Sequence, residues 1–401
     1  MARADRLLPW ERGAVWSAEE RLWWLLWSRV EGLGWQGLVQ LWESQGSLAQ
    51  AWSAPLDALG LLRGFGSRRL AAIDQCRQHF GPQPLQAMQS AGERGLGVLV
   101  PGDPALPAAI EALERPPVGL YWRGRGSLWP SLARRRAIAV VGTRRPSLHG
   151  LAMAEAIGVA LARGGWPVVS GLAEGIDAAV HRGCLKAGGR PVGVLGTHLE
   201  RVYPRHHLDL QRRVGQQGLL ISEQPPGAGV RAGHFAARNR LQVALAQAVV
   251  LVECPIRSGA CQSAELAWDQ QMPLWVVPGD AGKLSAAGSN RFLAKGVAAL
   301  LDADDLVRQL GPGPLLGPKQ TPCSAGVGDG QALASPGGVA SPRGGVEGRD
   351  DELLAAVGQG ASLEQLCRGM ALPAKALTPR LLQLELAGLL QAEAGLCWRP
   401  A

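Results

Sequence analysis

Short apolar runs alternate with longer amphipathic stretches between about residue 95 and residue 310. The runs are near-continuous in Val, Leu and Ile rather than alternating with polar positions, which is typical of strands that are covered on both faces. We predict strands at 137–142, 166–171, 191–196, 218–223, 248–253 and 273–279. Strands and helices that alternate this regularly predict an α/β fold with a doubly wound, mostly parallel sheet over residues 95–310.

Apolar residues at helical spacing predict a helical domain over residues 1–90, with the eight tryptophans from Trp10 to Trp52 in its core. Two glycine-rich turns, "GLGWQGL" (32–38) and "LRGFGSRRLAAI" (62–73), each precede a helix start. A helix-hairpin-helix uses such turns to present backbone N–H groups to a phosphate. Ordinary helical hairpins that end in glycine have the same pattern, so both interpretations stay open.

The chain after residue 310 changes in composition. Residues 311–349 are largely Gly, Pro, Ser and Ala without a period, so we expect a flexible linker. Residues 350–401 contain three helical segments and then a short hairpin pattern, which predicts a winged-helix-like module. Between residues 351 and 401 five acidic residues outnumber four basic ones, so contact with a protein is expected as readily as reading of a DNA groove.

The net charge of the chain indicates which class of partner it binds. The formal net charge is +8, with arginine as the main base, which indicates an acidic partner such as nucleic acid. A genome that favours Arg over Lys would give a similar composition. No apolar run approaches the roughly 18 residues that span a bilayer, and the N-terminus lacks the apolar core of a signal peptide. We therefore expect a cytoplasmic protein with no membrane partner.

The sequence carries no signal for a metal or a cofactor. The seven cysteines are scattered without a Cys-x-x-Cys pair, which predicts reduced thiols rather than a zinc site or a disulfide framework. The first predicted strand ends in "VVGTRRP" (140–146), which lacks the Gly-x-Gly-x-x-Gly spacing of a dinucleotide site. We expect neither metal nor cofactor.

Cationic and small polar residues cluster at the ends of the predicted strands, where open α/β sheets bind ligands. The candidates are Arg144, Arg145, Phe235, Arg238, Asn239, Arg240, Ser258 and Gly259. An aromatic ring beside several cations suits single-stranded nucleic acid, whose bases stack while its phosphates are bound. Alternatively, Phe235 is a core residue that covers the sheet.

The stretch "VVSGLAEGIDAAVHRGCL" (168–185) places Ser170, Asp177 and His181 close together in sequence. It lacks the Gly-x-Ser-x-Gly frame of a hydrolase and the His-Glu-x-x-His pattern of a zinc protease. We therefore expect no catalytic residue here. The turn is expected to act as an anion cradle through Ser170 and Gly171, with Asp177 and His181 in supporting roles.

Several motifs in this order resemble the DNA-processing protein A family, also called Smf. The matching stretches cover about residues 137–301 and read "VVGTRRPS", "SGLAEGIDAAVH", "GVLGTHLERVYP", "LLISEQPPG", "FAARNR", "VVLVECPIRSGACQSAELA", "VVPG" and "GSNRFLAKGVAAL". The resemblance implies an extended Rossmann-like domain that forms a homodimer, in a cytoplasmic protein that is not an enzyme. Such proteins bind incoming single-stranded DNA in natural transformation and help to load the RecA recombinase onto it. The helical start and the winged-helix-like end also resemble longer members, in which the N-terminal domain is SAM/helix-hairpin-helix-like.

The resemblance also assigns roles by position. Arg144 becomes the leading phosphate-binding cation, and the rest of the pocket is Ser170, Gly171, Gly175, Phe235, Arg238 and Asn239. The chain departs from the family pattern at Ala236, where Pro is usual, and at Gln262 and Ser263, where Ile and Thr are typical.

The sequence is also compatible with two functions other than DNA binding by the sheet domain. One is a nucleotide-processing enzyme that resembles the phosphoribohydrolases, with Glu265 in "RSGACQSAELA" as its candidate acid, although the double glycine of that family's loop is absent. The other is a DNA-binding regulator that acts through the C-terminal module, whose acidic balance disfavours it.

Overall fold

The computed structural model of the protein describes Leu8, residues 15–90 and 96–316, and, towards the C-terminus, residues 353–358, 360–370, 372, 376–377, 380–381, 384, 389–393 and 397–400. The chain divides into two compact units, Met1–Thr321 and Pro322–Ala401. From residue 317 onward the predicted linker lies outside the described residues.

A nine-stranded sheet forms the centre of the first unit. Its strands are β1 (Gly97–Leu99), β2 (Leu120–Gly124), β3 (Ile138–Val141), β4 (Val168–Ser170), β5 (Pro191–Leu195), β6 (Leu219–Ser222), β7 (Ala248–Leu251), β8 (Leu274–Val276) and β9 (Ala298–Ala299). They lie in the order β1-β2-β6-β5-β4-β3-β7-β8-β9. In this order, every neighbouring pair between β6 and β9 is parallel. β2 pairs antiparallel with both of its neighbours, β1 and β6.

The predicted α/β sheet is confirmed: all six predicted strands are present, as β3 to β8. Every residue of β3 to β7 is buried, which explains their near-continuous apolar runs. Sequence reasoning missed β1, β2 and β9. β1 and β9 are the edge strands of the sheet, and both are short. β2 lies next to β1 and is partly exposed, so none of the three carries a continuous apolar run.

Helices follow the strands and cover both faces of the sheet. They are α7 (Ala108–Glu111), α8 (Trp129–Ala133), α9 (Leu148–Arg163), α10 (Ile176–Lys186), α11 (Leu208–Gln217), α12 (Ala232–Ala237), α13 (Asn239–Ala244), α14 (Gly259–Asp269), α15 (Ala287–Ala294) and α16 (Ala303–Leu310). Alternate residues of β3 enter different cores, because successive side chains of a strand point to opposite faces. Ile138 and Val140 pack with α9, α10 and α16, while Ala139 and Val141 pack with α13 and α14.

Six helices precede the sheet: α1 (Ala18–Trp27), α2 (Trp35–Gln45), α3 (Leu48–Ser53), α4 (Leu56–Gly60), α5 (Ser67–Phe80) and α6 (Pro84–Ser90). As expected from the glycine-rich turns, Gly34 and Gly66 stand immediately before α2 and α5. The buried tryptophans of these helices share one core with Val100, Tyr121 and Leu220 of the sheet region. The helices and the sheet therefore belong to one compact unit; their separation at residues 90–95, and the helix-hairpin-helix interpretation, stay predictions.

The second unit contains helix α17 (Leu363–Met370) and a three-stranded sheet of β10 (Ala361–Ser362), β11 (Leu390–Glu393) and β12 (Cys397–Pro400). Both pairings are antiparallel, and Trp398 of the central strand β12 is buried among leucines. The winged-helix assignment of residues 350–401 stays a prediction. Within the described parts of the chain, none of the helices has the length and apolarity needed to cross a membrane.

Candidate nucleic-acid interface

A cleft of about 1100 Å³ opens at the carboxyl ends of β3, β4 and β7. The loop after β3 contributes Gly142 to Arg145, the loop after β4 contributes Ala173, and the first turn of α10 contributes Asp177. The opposite wall comes from the segment around α12 and α13 and from the start of α14. The cleft therefore lies at the edge where an open α/β sheet of this kind binds its ligands.

Three exposed arginines line the cleft: Arg144, Arg145 and Arg257. None of them forms an ion pair with a carboxylate among the described residues. Thr143 shapes the turn that carries the first two, since its Oγ1 accepts a hydrogen bond from the Arg145 amide at 3.2 Å and its carbonyl accepts one from Ile176 at 3.2 Å. The structure thus presents positive charge to solvent on a fixed turn.

The half-buried ring of Phe235 is contacted by a cation and by a second aromatic ring. The guanidinium carbon of Arg144 lies 5.6 Å from the Phe235 centroid. The Tyr203 ring is tilted by 47° against Phe235, with centroids 4.9 Å apart. Behind Phe235 lies Gly196, where a Cβ would come within 2.7 Å of the ring. Phe235 is therefore well placed to hold the Arg144 guanidinium in position.

Arg238 is buried rather than displayed, with 5% of its surface exposed. Its guanidinium donates to the carbonyls of Gly171, at 2.6 Å, and Val194, and Nε donates to Asn239 Oδ1 at 2.9 Å. Nη2 also lies 3.4 Å from Asp177 Oδ2. Burial lowers the pKa of Arg238, and the Asp177 carboxylate opposes that shift. Arg238 joins the ends of β4 and β5 and so differs from the exposed phosphate ligand that the sequence suggested.

In the turn after β4, the groups that were expected to donate hydrogen bonds to an anion donate to other groups of the protein. The fully buried Ser170 hydroxyl donates to the Val140 carbonyl at 2.7 Å. The Gly171 amide donates to Asp177 Oδ2 at 3.1 Å. Burial raises the pKa of Asp177, whereas Arg238 and the two amides that it accepts from lower it. Ser170 and Gly171 thus belong to the scaffold of the cleft, and the donors of the expected anion cradle are engaged.

Two further candidates shape the same turn. His181 is fully buried, and burial lowers its pKa to about 3, so the imidazole is neutral near pH 7. Gly175 is the N-cap residue of α10 with a φ of 78°, and a Cβ there would collide with the Thr143 carbonyl. Gly175 therefore lets the loops after β3 and β4 approach each other closely.

The remaining candidates divide between the cleft and its surroundings. Asn239, Ser258 and Gly259 line it; Asn239 Nδ2 donates to the Gly259 carbonyl at 3.1 Å, and Ser258 Oγ caps α14 by accepting from the Cys261 amide at 3.1 Å. Arg240 does not line the cleft. It forms a two-point ion pair with Glu223, with its shorter contact at 2.6 Å.

Sequence reasoning missed Tyr203 and Arg257 as members of this surface. Tyr203 is 46% exposed and stands in "ERVYP", and Arg257 directly precedes the Ser-Gly turn in "PIRSGA". The position of Arg257 beside a strand-end turn was a usable signal, because the same placement singled out Arg144. Tyr203 had no such signal, since its contact with Phe235 joins distant parts of the chain.

The acid considered for an enzymatic function also lies in the cleft. Glu265 lines it, and Cys261 Sγ lies 3.7 Å from Glu265 Oε1. Among the described residues, no group of three or more His, Cys, Asp or Glu side chains is arranged to hold a metal ion.

Comparison with known proteins identifies the family. The model of the family described as DNA recombination-mediator protein A matches residues 97–311. The chain belongs to this family. Protein Smf of a Synechocystis strain is 34% identical over 297 residues, which are 74% of each chain. The DNA processing protein DprA of Bacillus subtilis is 30% identical over 242 residues, 60% of this chain and 80% of that protein. The resemblance seen in the motifs is confirmed.

A solved structure supports the fold of this family member. The X-ray structure of DNA processing protein A from Streptococcus pneumoniae aligns with a TM-score of 0.58 at 24% sequence identity, and covers 74% of this chain and 99% of that chain. The likeness confirms the Rossmann-like α/β architecture around the cleft.

Proposed function

We propose that this recombination-mediator family member binds single-stranded DNA in the cleft at the carboxyl edge of its sheet. The observation that carries the proposal is the group of three exposed arginines, Arg144, Arg145 and Arg257, on the cleft wall without a carboxylate partner among the described residues. Arginine is suited to phosphate because its planar guanidinium offers two parallel donors.

Electrostatics at the base of the cleft adds to these charges. The first turn of α14 faces the cleft through Gly259 and Ala260, so the positive end of the helix dipole points towards a bound anion. The buried Arg238 lies near enough to Arg144 for the two charges to repel. A phosphate bound to the exposed Arg144 would offset that repulsion while Arg238 stays buried, which favours binding of an anion over an empty cleft.

Apolar groups on the rim favour a single strand over a duplex. Tyr203, Ile256 and Val230 line the cleft and are 46%, 50% and 41% exposed. Bases of a single strand can stack on an aromatic ring and contact aliphatic side chains, whereas bases in a duplex are already stacked on each other. The surface therefore offers partners for both the phosphates and the bases of an unpaired strand.

The wider role follows from the family. A recombination mediator must deliver its strand to a recombinase, so we infer that this protein protects incoming single-stranded DNA and loads RecA during natural transformation or DNA recombination. A homodimer formed through the Rossmann-like domain would place two clefts in one assembly and lengthen the bound strand. The proposed role needs no catalytic residue and no cofactor.

The presence of Glu265 in the cleft is the observation that favours the alternative, a phosphoribohydrolase-like enzyme. An enzyme of that kind would release free base from nucleoside monophosphates. Incubation of the protein with nucleoside monophosphates separates the two functions: the DNA-binding proposal expects no free base, and turnover that is abolished in Glu265→Ala would support the enzyme instead.

The direct test is a salt-titrated comparison of single-stranded and double-stranded DNA by fluorescence anisotropy. We expect tighter binding of the single strand. Arg144→Ala should weaken it and lower the salt slope by about 0.7, the value for one phosphate contact on a single strand. Arg163→Ala is the matched control, because Arg163 is exposed in the last turn of α9, away from the cleft lining. Wild-type behaviour of Arg144→Ala at every salt concentration would rule out the proposed site.

A further inference from the structure

A second exposed basic surface adjoins the cleft. It consists of Arg63, Arg68 and Arg69 from the turn between α4 and α5 and the start of α5, Glu31 from the turn after α1, and Arg231 from the loop before α12. We call these five residues the N-terminal ridge. The motif "LRGFGSRRLAAI" lies in the ridge, and binding in the cleft makes no use of it.

Direct contacts make the ridge continuous with the cleft. Arg231 stands between Val230 and Ala232, both of which line the cleft. Its guanidinium contacts Glu31 Oε1 at 2.7 Å, and the same oxygen lies 3.5 Å from Arg68 Nη2. One carboxylate therefore bridges an arginine at the mouth of the cleft and an arginine of the N-terminal helices.

The turns of the ridge are held in a fixed shape. Arg69 donates to the Gly32 carbonyl at 3.2 Å, and its guanidinium lies 5.0 Å from the centroid of the buried Phe65 ring. Gly32 and Gly64 adopt φ values of 77° and 81°, which few other residues tolerate. On the far side, Arg29 donates to the Pro226 carbonyl in the loop that leads to Arg231. The ridge is thus a built surface rather than a set of loose side chains.

The charge of the ridge is predominantly positive and open to solvent. The Arg68 side chain is 92% exposed, and those of Arg231 and Glu31 are 54% and 55% exposed. Arg231 lowers the pKa of Glu31, so the carboxylate is ionised at neutral pH. An ion pair this exposed contributes little net stability, so a phosphate can replace the carboxylate at small cost.

We propose that the N-terminal ridge binds the phosphate backbone of the single strand where it leaves the cleft. The inference rests on the proposed function, because it needs a strand in the cleft. Charge complementarity and the continuity through Val230, Arg231 and Glu31 identify the occupant as nucleic acid. The Glu31 carboxylate competes with phosphate for Arg68 and Arg231, and so limits how tightly long strands bind.

Oligonucleotide length separates the ridge from the cleft. An oligo-dT of about 6 nucleotides occupies a single small site, whereas one of about 30 nucleotides extends beyond it. We expect R68A/R231A to bind the short strand as wild type does and the long strand more weakly. Because this variant lacks two phosphate-binding cations, the ratio of wild-type to variant affinity should shrink about sevenfold between about 50 and 200 mM salt.

A variant that should strengthen rather than weaken long-strand binding tests the role of the Glu31 carboxylate. Glu31→Gln removes the negative charge but keeps the size of the side chain, and Glu31 lies on the surface, so the fold should be unaffected. We expect tighter binding of the long strand and unchanged binding of the short one. R163A/R308A is the matched control, since both arginines are exposed in the last turns of α9 and α16.

The results distinguish the ridge from the cleft. Unchanged long-strand binding in R68A/R231A would overturn the ridge, as would an equal loss for both lengths or an equal effect in R163A/R308A. Weaker rather than tighter long-strand binding by Glu31→Gln would overturn it as well. Failure of the cleft itself would show differently, as wild-type protein that binds neither length or as Arg144→Ala that binds both normally.

Discussion

The guanidinium of Arg238 occupies the space that a side chain at position 171 would need, since a Cβ built on Gly171 would overlap it. In return the Gly171 carbonyl accepts a hydrogen bond from Arg238 at 2.6 Å. The sequence predicted Gly171 as part of an anion-binding turn. In the structure a glycine is required there because the buried Arg238 fills the adjacent space. Arg238 lines the cleft, and the missing side chain of Gly171 leaves the room that its guanidinium needs.

Gly171→Ala should destabilise the protein by about 2–4 kcal/mol, because the new methyl group displaces Arg238 and leaves Asp177 buried without its partner. Urea unfolding followed by tryptophan fluorescence measures the change. Gly233→Ala is the control: nothing lies within 4 Å of its Cβ position, and it sits in α12. There we expect no loss or a gain of up to about 1 kcal/mol. Equal stability of the two variants would contradict this account of Gly171.

Arg238 and Arg144 should separate stability from DNA binding. Arg238→Ala removes one half of a buried ion pair, so we expect a loss of about 3–5 kcal/mol in the free energy of unfolding. Arg144→Ala removes an exposed side chain, so its stability should stay within about 0.5 kcal/mol of wild type.

The salt slope of single-strand binding should show the reverse. It should fall in Arg144→Ala and stay at the wild-type value in the folded fraction of Arg238→Ala, measured at a temperature and urea concentration where that variant is native. A lower slope in Arg238→Ala would mean that Arg238 contacts a phosphate after all.

Phe235 should influence DNA binding through Arg144. Phe235→Leu keeps an apolar side chain beside Gly196 but removes the ring face under the guanidinium. The interaction that orients Arg144 is then weaker by about 0.5–1 kcal/mol. We expect weaker binding of oligo-dT by about two- to fivefold. Phe235→Tyr keeps the ring and should bind as wild type.

A double variant decides between positioning and stacking by Phe235. If the ring acts through Arg144, Phe235→Leu has little further effect in an Arg144→Ala background. A full additional loss in that background would show instead that bases stack on Phe235 directly.

The residues explain which parts of the molecule the sequence could predict. Strands β3 to β8 were recognisable because burial on both faces demands continuous apolar runs. Arg144 was recognisable because it lies in the turn that follows such a run. The role of Arg238 could not be read in this way. In "FAARNR" three polar residues stand side by side, yet the start of α13 turns Arg238 inward, Asn239 towards the cleft and Arg240 to Glu223. The direction in which each side chain points at a helix start depends on tertiary contacts, which cannot be inferred from the local sequence.

His181 should make the stability of the protein fall in acid. Burial lowers its folded-state pKa from 6.5 to about 3, so between these values the unfolded chain binds a proton at this position and the folded protein does not. The stabilising effect of the neutral imidazole is complete above about pH 6.5 and is lost as the pH falls towards 3. Within that window this one group lowers the free energy of unfolding by up to about 1.4 kcal/mol per pH unit.

His181→Gln should flatten that dependence, because glutamine does not titrate, although the variant is less stable at neutral pH. The comparison uses the slope of the free energy of unfolding against pH, from urea titrations between about pH 4.5 and 7.5. Groups that do not act on His181, such as His198, whose pKa is also lowered by burial, remain in both proteins and cancel in the difference. His79→Gln is the control, since His79 is exposed at the end of α5 and should leave the slope as in wild type. If His181→Gln kept the full wild-type slope, the imidazole would have to be protonated or solvated in the folded protein, contrary to its position in the core.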